Sequence, residues 1–244
     1  MAQRESSLAI SALVKQLIEE IQQGTIANEH NQLPTEPALM AKYKVTRYTL
    51  RQALAQLGKM GYIYQAHGIG TFVRARLEDG AVSIQNPTGL TAELERQGKK
   101  VTTVQASIAP LTAAEAGFQP SGSTIPGNTP LWEIKRLRCL DGVPYQFEHS
   151  YYLRDIVGEI PESVLYGSLF EFVADNEALK LGFQDKVMDA RSVTPEIGAF
   201  FNLPVGAPML TMRDDSYLSS GQLFAFSQLN YEYHQGKFFM FTKL

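Results

Sequence analysis

The sequence predicts an α+β protein with a helical N-terminal domain and a C-terminal domain built on an antiparallel sheet. Three observations support this class: apolar residues at helical spacing in residues 10–57, two β-rich runs around a glycine-rich tip in residues 62–74, and a repeated series of strand and turn signals in residues 112–231. A polar stretch with the turn signals Asp79-Gly80 and Asn86-Pro87 separates the two parts. We therefore expect domains at 1–76 and 89–244, joined by a linker at 77–88.

The composition excludes several classes of protein. With 13 Phe, 11 Tyr and 44% hydrophobic residues among 244, the chain is too apolar to be mainly disordered. The single Cys139 excludes an intrachain disulfide framework, and the four histidines lack metal-ligand spacing, so we expect neither a metal nor another cofactor. No apolar run approaches the roughly 18 residues of a membrane helix, and the N-terminus lacks the apolar core of a signal peptide. We expect a cytoplasmic protein with no membrane partner.

Three helices are predicted in the N-terminal domain. The first carries an apolar stripe at i, i+3, i+4, i+7, i+8 and i+11, formed by Ile10, Leu13, Val14, Leu17, Ile18 and Ile21, and Gly24 ends it. Thr35 is a suitable N-cap for a second helix that reaches about Tyr43, with Pro37 in its first turn. Thr46 is a suitable N-cap for the third helix, which buries Leu50, Ala53, Leu54 and Leu57.

A β-hairpin with a glycine-rich tip is predicted after the third helix. Residues 62–65 and 71–74 are β-rich and flank Ala66-His67-Gly68-Ile69-Gly70. Three short helices and such a hairpin form a winged helix-turn-helix domain. Its third helix fits the major groove of duplex DNA, and its hairpin can cross the backbone toward the minor groove.

Basic residues are concentrated in this same segment. Residues 1–76 hold nine Lys and Arg against five Asp and Glu, whereas residues 77–244 hold thirteen against twenty. Residues 37–77 contain no acid and the seven bases Lys42, Lys44, Arg47, Arg51, Lys59, Arg74 and Arg76. This distribution favours an electrostatic footprint for a polyanion, with a solvated basic face as the simpler alternative.

Four short motifs in residues 33–73 match one family of DNA-binding proteins. They are Leu33-Pro-Thr-Glu-Pro, Tyr43-Lys-Val-Thr-Arg-Tyr-Thr-Leu-Arg-Gln-Ala-Leu, Gly61-Tyr-Ile and His67-Gly-Ile-Gly-Thr-Phe-Val. These motifs resemble the DNA-binding domain of GntR-type bacterial transcription regulators. The resemblance implies double-stranded operator DNA as a partner and DNA contacts from Thr46, Arg47, Tyr48, Thr49, Arg51, His67 and Gly68. Where this chain has Pro37, the family usually has an Arg that contacts DNA. That DNA contact is therefore missing here or is taken over by Lys42 or Lys44.

An internal repeat predicts the C-terminal sheet. Residues 112–118 and 194–200 both begin with Thr and carry a nearby Glu, which predicts a short helix in each. Each is followed by a strand, a turn at Asp141-Gly142 or Ser220-Gly221, and an aromatic strand ending near Tyr151 or Tyr231. We expect one antiparallel sheet with pseudo-twofold symmetry and helices on a face or an edge; chance recurrence of common turn dipeptides is the alternative.

Two arginines lie where the first repeat should be apolar. By period two, one strand face carries Trp132, Ile134, Arg136, Arg138 and Leu140. Buried arginines need an anionic partner, and Glu148 can supply it if the hairpin loop has an odd number of residues, such as 141–143. A two-residue loop would exclude the pairing. A structural ion pair is one interpretation, and an anionic ligand site is the other, because two Arg against one Glu leave a positive surplus.

The second repeat differs at the corresponding positions. It has Asp214, Ser216 and Ser227 where the first has Arg136, Arg138 and Glu148. Such divergence of the two halves is what an asymmetric ligand would require.

A second set of motifs covers residues 89–244. Arg136-x-Arg138-x-x-Asp141-Gly142-x-Pro144, with Glu148 ten residues after Arg138, is followed by Ser168-Leu-Phe-Glu-Phe. These motifs resemble the UTRA ligand-sensing domain of the HutC branch of GntR regulators, which has a chorismate-lyase-like fold. The resemblance implies an effector site formed by Gly89, Leu90, Arg136, Arg138, Glu148, Ser168 and Tyr231, with Gly89 and Leu90 at a helix N-terminus that suits an anion. The family's usual Ser-Phe is Gly89-Leu90 here, and its C-terminal R-x-D-R-Y is replaced by Glu232-Tyr-His-Gln-Gly, so ligand specificity does not carry over.

The favoured function is a homodimeric regulator that binds operator DNA. We expect a repressor released by a small anionic effector such as a phosphorylated sugar or amino sugar. An amino acid or a phosphonate is the alternative effector. The regulator could also be an activator instead of a repressor. The alternative from another functional class is a lyase-like enzyme. In it, Glu148 or His149 would act as acid–base, and Arg136 and Arg138 would hold a substrate carboxylate. The sequence shows no nucleophile–base–orienter set, so we expect no enzyme.

Overall fold

The computed structural model describes residues 2–74, 81–85 and 89–242, with the backbone alone at residues 2–8, 89, 90, 92 and 96. Residues 77–80 and 86–88 of the predicted linker, and Arg76 of the basic run, lie outside these ranges. The chain packs into two compact units, one formed by Met1–Gly98 with Lys237–Leu244 and the other by Lys99–Gly236. The boundaries between these units therefore lie after Gly98 and after Gly236, outside the predicted linker at 77–88.

The first unit contains the three predicted helices and the hairpin. They are α1 (Ala2–Gln22), α2 (Glu36–Tyr43), α3 (Arg47–Lys59), β1 (Ile63–Ala66) and β2 (Gly70–Val73), followed by β3 (Val82–Ser83) and α4 (Gly89–Arg96). Both predicted caps are confirmed, since the Thr35 hydroxyl accepts from the Ala38 N–H at 3.4 Å and the Thr46 hydroxyl accepts from the Thr49 N–H at 3.2 Å. The apolar stripes of α1 and α3 meet in one core that includes Leu17, Ile18, Leu50 and Leu57. Among the described helices, none is both long and apolar enough to cross a membrane.

A six-stranded antiparallel sheet forms the second unit. Its strands are β4 (Val101–Thr112), β5 (Pro130–Leu140), β6 (Val143–Leu153), β7 (Leu181–Ser192), β8 (Pro208–Leu218) and β9 (Leu223–Tyr231). Their order across the sheet is β4-β5-β6-β9-β8-β7. Two three-stranded meanders thus meet at β6 and β9, and the order of strands is equivalent from either edge, as the predicted pseudo-twofold repeat requires.

Helices and a long loop cover the two faces of this sheet. On one face lie α5 (Arg154–Val157), a 3₁₀ helix (Glu162–Tyr166) and α6 (Leu169–Asp175), which bury Ile134, Tyr152, Leu165, Leu169 and Phe224. The other face packs against α7 (Pro195–Phe201) and residues 113–125, which bury Phe147, Tyr151, Ile197, Phe201 and Phe226. The prediction of helices on the sheet faces is confirmed.

The helix predicted at residues 112–118 is wrong. Thr194 caps α7 as expected, but residues 112–118 form the end of β4 and turns. In a helix, the Gly117 N–H would donate to the Ala113 carbonyl. Here the Gly117 N–H donates to the Tyr151 hydroxyl at 2.9 Å, and the Ala113 carbonyl accepts from the Gln119 side chain at 2.7 Å. Hydrogen bonds to the side chains of Tyr151 and Gln119 therefore replace the helical one.

The hairpin between β5 and β6 corrects a second prediction. Its loop has two residues, Asp141 and Gly142, both with positive φ (51° and 85°), instead of three. Leu140 pairs with Val143, yet Arg138 pairs with Gln146, so Tyr145 is an extra residue in a β-bulge. The bulge shifts the register by one residue and returns Glu148 to a position opposite Arg136. The predicted pairing is confirmed, but the bulge and not the loop length produces it.

The end of the chain returns to the first unit. The strand β10 (Phe238–Phe239) pairs in parallel with β3, and the Arg74 guanidinium lies 4.4 Å from the centroid of the Phe241 ring. The helix α4 joins the same unit through Glu93, whose carboxylate accepts from the Tyr62 hydroxyl at 2.8 Å. These contacts explain why 89–98 and 237–242 pack with the first unit although the sequence assigned them to the second domain.

Candidate functional site

The predicted DNA-contacting side chains lie on α3 and at the tip of the β1–β2 hairpin. The side chains of Arg47 and Arg51 are 63% and 62% exposed, one helical turn apart. Tyr48 is also exposed, whereas Thr49 is buried and its hydroxyl lies 2.9 Å from that of Thr46. The two threonines therefore fix the first turn of α3, and Arg47, Tyr48 and Arg51 project from it.

The hairpin places the other two predicted residues at its tip. His67 and Gly68 are exposed, and Gly68 has φ of 73°, a conformation that glycine adopts without strain. Just behind them, the rings of Tyr64 and Phe72 stack across the two strands with centroids 5.4 Å apart. The tip thus presents His67 and the apolar Ile69, which is 69% exposed, in front of an aromatic pair.

Sequence reasoning missed Glu36, which faces both arginines. The Arg51 Nε lies 3.2 Å from each carboxylate oxygen of Glu36, and the Arg47 Nε lies 3.8 Å from one of them. Glu36 is the first residue of α2, so no periodicity within one helix could link it to α3. Its place in the Leu33-Pro-Thr-Glu motif was the only available signal.

The two lysines considered as substitutes at Pro37 differ. The Lys42 ammonium pairs with Glu20, which also accepts from the Tyr43 hydroxyl at 2.9 Å. Lys44 is exposed at φ of 54° in the turn between α2 and α3. Both lysines are exposed, but Lys42 is bound to Glu20 of α1, whereas Lys44 lies in the turn that precedes α3.

A row of polar side chains crosses one face of the sheet in the second unit. We call it the polar belt, and it comprises Arg136, Arg138, Gln146, Glu148, Ser150, Lys186, Asp214, Ser227 and Tyr231. Neighbouring strands place these residues opposite one another, as in Arg136–Glu148, Gln146–Tyr231, Ser150–Ser227 and Lys186–Asp214. The sheet therefore brings together four of the predicted effector residues, namely Arg136, Arg138, Glu148 and Tyr231.

Arg136 is held by four hydrogen bonds at the centre of the belt. Its Nε and Nη2 donate to one oxygen of Glu148 at 3.0 and 2.6 Å, and its Nη1 donates to the carbonyls of Leu165 and Gly167 at 3.2 and 2.9 Å. Burial by itself would raise the pKa of Glu148, but the charges of Arg136 and Arg138 hold that pKa below its ordinary value. This part of the belt is a structural ion pair.

Arg138 connects to the predicted tyrosine through one amide. Its Nη1 donates to the Gln146 side-chain oxygen at 3.2 Å, and the Gln146 amide donates to the Tyr231 hydroxyl at 2.8 Å. Burial, together with the charge of Arg136, lowers the pKa of Arg138 to about 10. Arg138 therefore remains protonated at neutral pH, and the belt holds two buried guanidinium charges close to Glu148.

Ser168 directly follows a residue that binds the belt, whereas Gly89 and Leu90 belong to the other unit. Ser168 follows Gly167, whose carbonyl binds Arg136, and its hydroxyl caps α6 by accepting from the Glu171 N–H at 3.1 Å. Gly89 and Leu90 begin α4, so the predicted helix start is confirmed. Their role in an effector site stays a prediction.

Asp214 is the most unusual group of the second repeat. It is 4% exposed, its Oδ2 lies 3.9 Å from the Lys186 Nζ, and in the described part of the chain its Oδ1 is buried with no hydrogen-bond partner. Burial raises its pKa to about 6. The buried Tyr145 hydroxyl likewise lacks a hydrogen-bond partner among the described residues. Within those same residues, no group of three or more His, Cys, Asp or Glu side chains could hold a metal ion.

Comparison with known proteins identifies both parts of the chain. The family model "Bacterial regulatory proteins, gntR family" matches residues 9–73, and the UTRA domain model matches residues 96–235. The crystal structure of the possible transcriptional regulator YydK from Bacillus subtilis shares the fold, with a TM-score of 0.74 at 24% identity over 96% of this chain and 99% of that chain.

Three relatives are similar along most of their length. The uncharacterized HTH-type transcriptional regulator YydK of B. subtilis (strain 168) is 27% identical over 231 residues, 94% of each chain. The HTH-type transcriptional repressor NagR of the same organism is 24% identical over 213 residues, 87% of this chain and 85% of NagR. The mannosyl-D-glycerate transport/metabolism system repressor MngR of Escherichia coli (strain K12) is 24% identical over 196 residues, 80% of each chain.

The UTRA match alone covers more than half of the chain, and the GntR match covers the helices and hairpin that carry the exposed arginines. This protein therefore belongs to the GntR family of bacterial regulatory proteins, as a DNA-binding transcription regulator and not an enzyme, with an N-terminal GntR domain and a C-terminal UTRA domain.

Proposed function

We propose that this regulator is a cytoplasmic repressor that leaves its operator when a small anionic effector binds at the polar belt. The observation that carries the proposal is the buried pair Arg136 and Arg138, of which Glu148 neutralises one charge. The two buried guanidinium charges disfavour each other, and an anionic ligand bound beside them would stabilise both.

On the DNA side, α3 supplies the reading groups. Arg47 and Arg51 are exposed on its surface, and Glu36 restrains both side chains without burying them. In this arrangement the guanidinium groups can reach guanine O6 and N7 in the major groove, while the exposed His67 tip contacts the backbone or the minor groove. A homodimer would present two such helices to a pseudo-palindromic operator.

On the effector side, the groups divide by what they already bind. Arg136 uses its donors on Glu148 and on two carbonyls, so it positions the belt, and Arg138, with Gln146 and Tyr231, receives the anionic part of the ligand. The Oδ1 of Asp214 and the Tyr145 hydroxyl remain for hydroxyl or amino groups. A phosphorylated sugar or amino sugar fits this arrangement, because it joins an anionic group to several hydroxyl or amino groups.

The name of one relative agrees with this class. MngR is described as the repressor of a mannosyl-D-glycerate transport and metabolism system, and mannosyl-D-glycerate is a sugar that carries a carboxylate. Release of DNA further requires that the effector bind more tightly to a dimer geometry that misaligns the two reading helices. An effector with equal affinity for both geometries would change nothing.

The DNA half of the proposal is tested by operator binding in a gel shift at fixed salt. Arg47→Ala or Arg51→Ala should weaken binding by about 1–3 kcal/mol, because each removes a bidentate base contact. Lys15→Ala is the matched control, since it removes an exposed positive charge from α1. Equal affinity of all three variants and the unmodified protein would show that α3 does not read the operator.

The effector half uses the same assay with glucosamine 6-phosphate, against glucosamine plus inorganic phosphate. We expect the joined compound to release the operator and to raise the melting temperature, because a ligand of the native state stabilises it. Arg138→Lys keeps the charge but loses the planar fork, so it should respond only at concentrations at least about tenfold higher while binding DNA normally. An unchanged response of this variant would place the effector elsewhere.

A further inference from the structure

The edge strand β7 concentrates exposed apolar surface in the second unit. Phe183, Val187 and Met188 are 54%, 41% and 37% exposed, and in the described part of the chain β7 pairs only with β8. A twelve-residue edge strand of this kind offers a row of backbone N–H and C=O groups to another strand. Native proteins usually block such edges or use them.

The opposite edge of the same sheet is less regular. In β4, Pro110 removes one backbone donor, and a bulge between Thr103 and Gln105 interrupts the ladder. The strand β7 contains no proline, and its single irregularity lies at its first residues, between Leu181 and Phe183. The residues 184–192 therefore form a regular and open edge.

We propose that this edge pairs antiparallel with the same strand of a second copy, about a twofold axis at Met188. The inference rests on the homodimer of the proposed function and names its surface and register. Two six-stranded sheets would then join into one continuous sheet, with main-chain hydrogen bonds between the two copies of β7.

Charge selects the register. A twofold axis normal to an antiparallel ladder places one residue, the centre of the register, opposite its own copy. Nine or more residues of β7 pair when this centre is Asp185, Lys186, Val187 or Met188. The registers centred on Asp185 and Lys186 place a charged residue opposite its own copy. The register centred on Val187 places Asp185 of each copy opposite Asp189 of the other. Like charges directly opposite are destabilising, so three of the four registers are disfavoured.

The register centred on Met188 gains contacts on both faces. Met188 faces its own copy on one face, Val187 and its copy are diagonal neighbours on the other, and Asp185 lies opposite Arg191 twice. Within one chain, Asp185 already lies opposite Asp215 of β8. A guanidinium from the second copy would offset that like-charge contact, which gives Asp185 a reason to lie at this edge.

Charge exchange tests the pairing on the full-length chain by sedimentation equilibrium. Asp185→Arg places two arginine pairs opposite each other, so the dimer dissociation constant should rise at least about tenfold. Arg191→Asp should do the same, and the double variant D185R/R191D should return to within about threefold of the original value. An equimolar mixture of the two single variants should form heterodimers, because each supplies the charge that the other needs.

Cysteine pairs test the register, in a Cys139→Ala background. Met188→Cys places two thiols directly opposite and should crosslink under mild oxidation. Ala190→Cys is the matched control on the same face, since its copy would lie about 13 Å away along the strand. Crosslinking of the control instead, or of neither variant in a dimeric chain, would overturn the register.

The outcomes separate this inference from the proposed function. If Asp185→Arg still dimerises normally, the dimer uses another surface, and the operator assays with the Arg47 and Arg138 variants are unaffected. If the unmodified chain stays monomeric up to about 100 µM, the homodimer and the β7 interface fail together, while the reading role of α3 is judged by its own assay.

Discussion

The molecule contains two arginine pairs, each facing one glutamate, and they differ in exposure. Arg47 and Arg51 on α3 face Glu36 with distances of 3.2–3.8 Å, and more than 60% of each arginine side chain is in water. Arg136 and Arg138 on β5 are 5% and 7% exposed, and Glu148 binds Arg136 at 2.6 Å. The same residue types therefore form a surface cluster in one unit and a buried one in the other.

Exposure decides what each arginine pair can bind. Exposed charges interact weakly with one another in water, so the bonds to Glu36 are easily exchanged for phosphate or guanine. Buried charges interact strongly and are costly without partners, so Arg136 is tied to Glu148 and Arg138 to Gln146. The first pair suits reversible binding to a polyanion, and the second suits selective binding of a small ligand.

The largest expected effect comes from breaking the buried pair. Glu148→Gln leaves the guanidinium of Arg136 without its counter-charge and should lower the free energy of unfolding by about 3–5 kcal/mol in urea titration. The double variant R136M/E148L removes both charges and should cost less than Glu148→Gln alone. A loss below about 1 kcal/mol for Glu148→Gln would show that this pair is as solvent-screened as the one on α3.

A smaller effect should appear in the pH dependence of stability, through Asp214. Its pKa is about 6 in the folded chain against an ordinary value of 3.8, so the folded state holds the proton more tightly. The stabilising contribution is therefore present below about pH 4 and is lost as the pH rises through 6.

Replacing Asp214 removes this dependence. Relative to the unmodified protein, Asp214→Asn should gain about 2 kcal/mol of unfolding free energy between pH 4 and pH 7. Unfolding curves at both values measure it, and Asp155→Asn, at an exposed position on α5, is the control. A constant difference between Asp214→Asn and the unmodified chain would mean that Asp214 is ionised throughout.

The smallest effect is expected at the exposed pair. Glu36→Gln should change the free energy of unfolding by no more than about 0.5–1 kcal/mol, and added salt should reduce that difference further. A loss as large as that of Glu148→Gln would contradict the comparison, because exposure would then not be what separates the two clusters.

Local signals were sufficient for the N-terminal helices and for the faces of the strands. The caps Thr35 and Thr46, the apolar stripe of α1 and the shared face of Arg136 and Arg138 follow from a few neighbouring residues. Helical and strand periods repeat over such short distances, so the sequence carries them directly.

The site details that the sequence missed depend on partners far away in the chain. The carboxylate of Glu36 meets α3 only after two helices pack, and the Tyr145 bulge is defined by its neighbouring strand. Residues 112–118 carry a helical signal, yet the Gly117 N–H that a helix would use donates to the Tyr151 hydroxyl, 34 residues away.

Neighbouring residues were enough to set the starts of α2, α3 and α7, the positive charge of the first domain and the placement of two arginines on one strand face. Tertiary structure alone decided which arginines are buried, which strand lies open at the edge of the sheet, and where the end of the chain packs. Capping and periodicity act between adjacent residues, whereas burial, register and strand order are set when distant segments compete for the same hydrogen bonds and the same apolar surface.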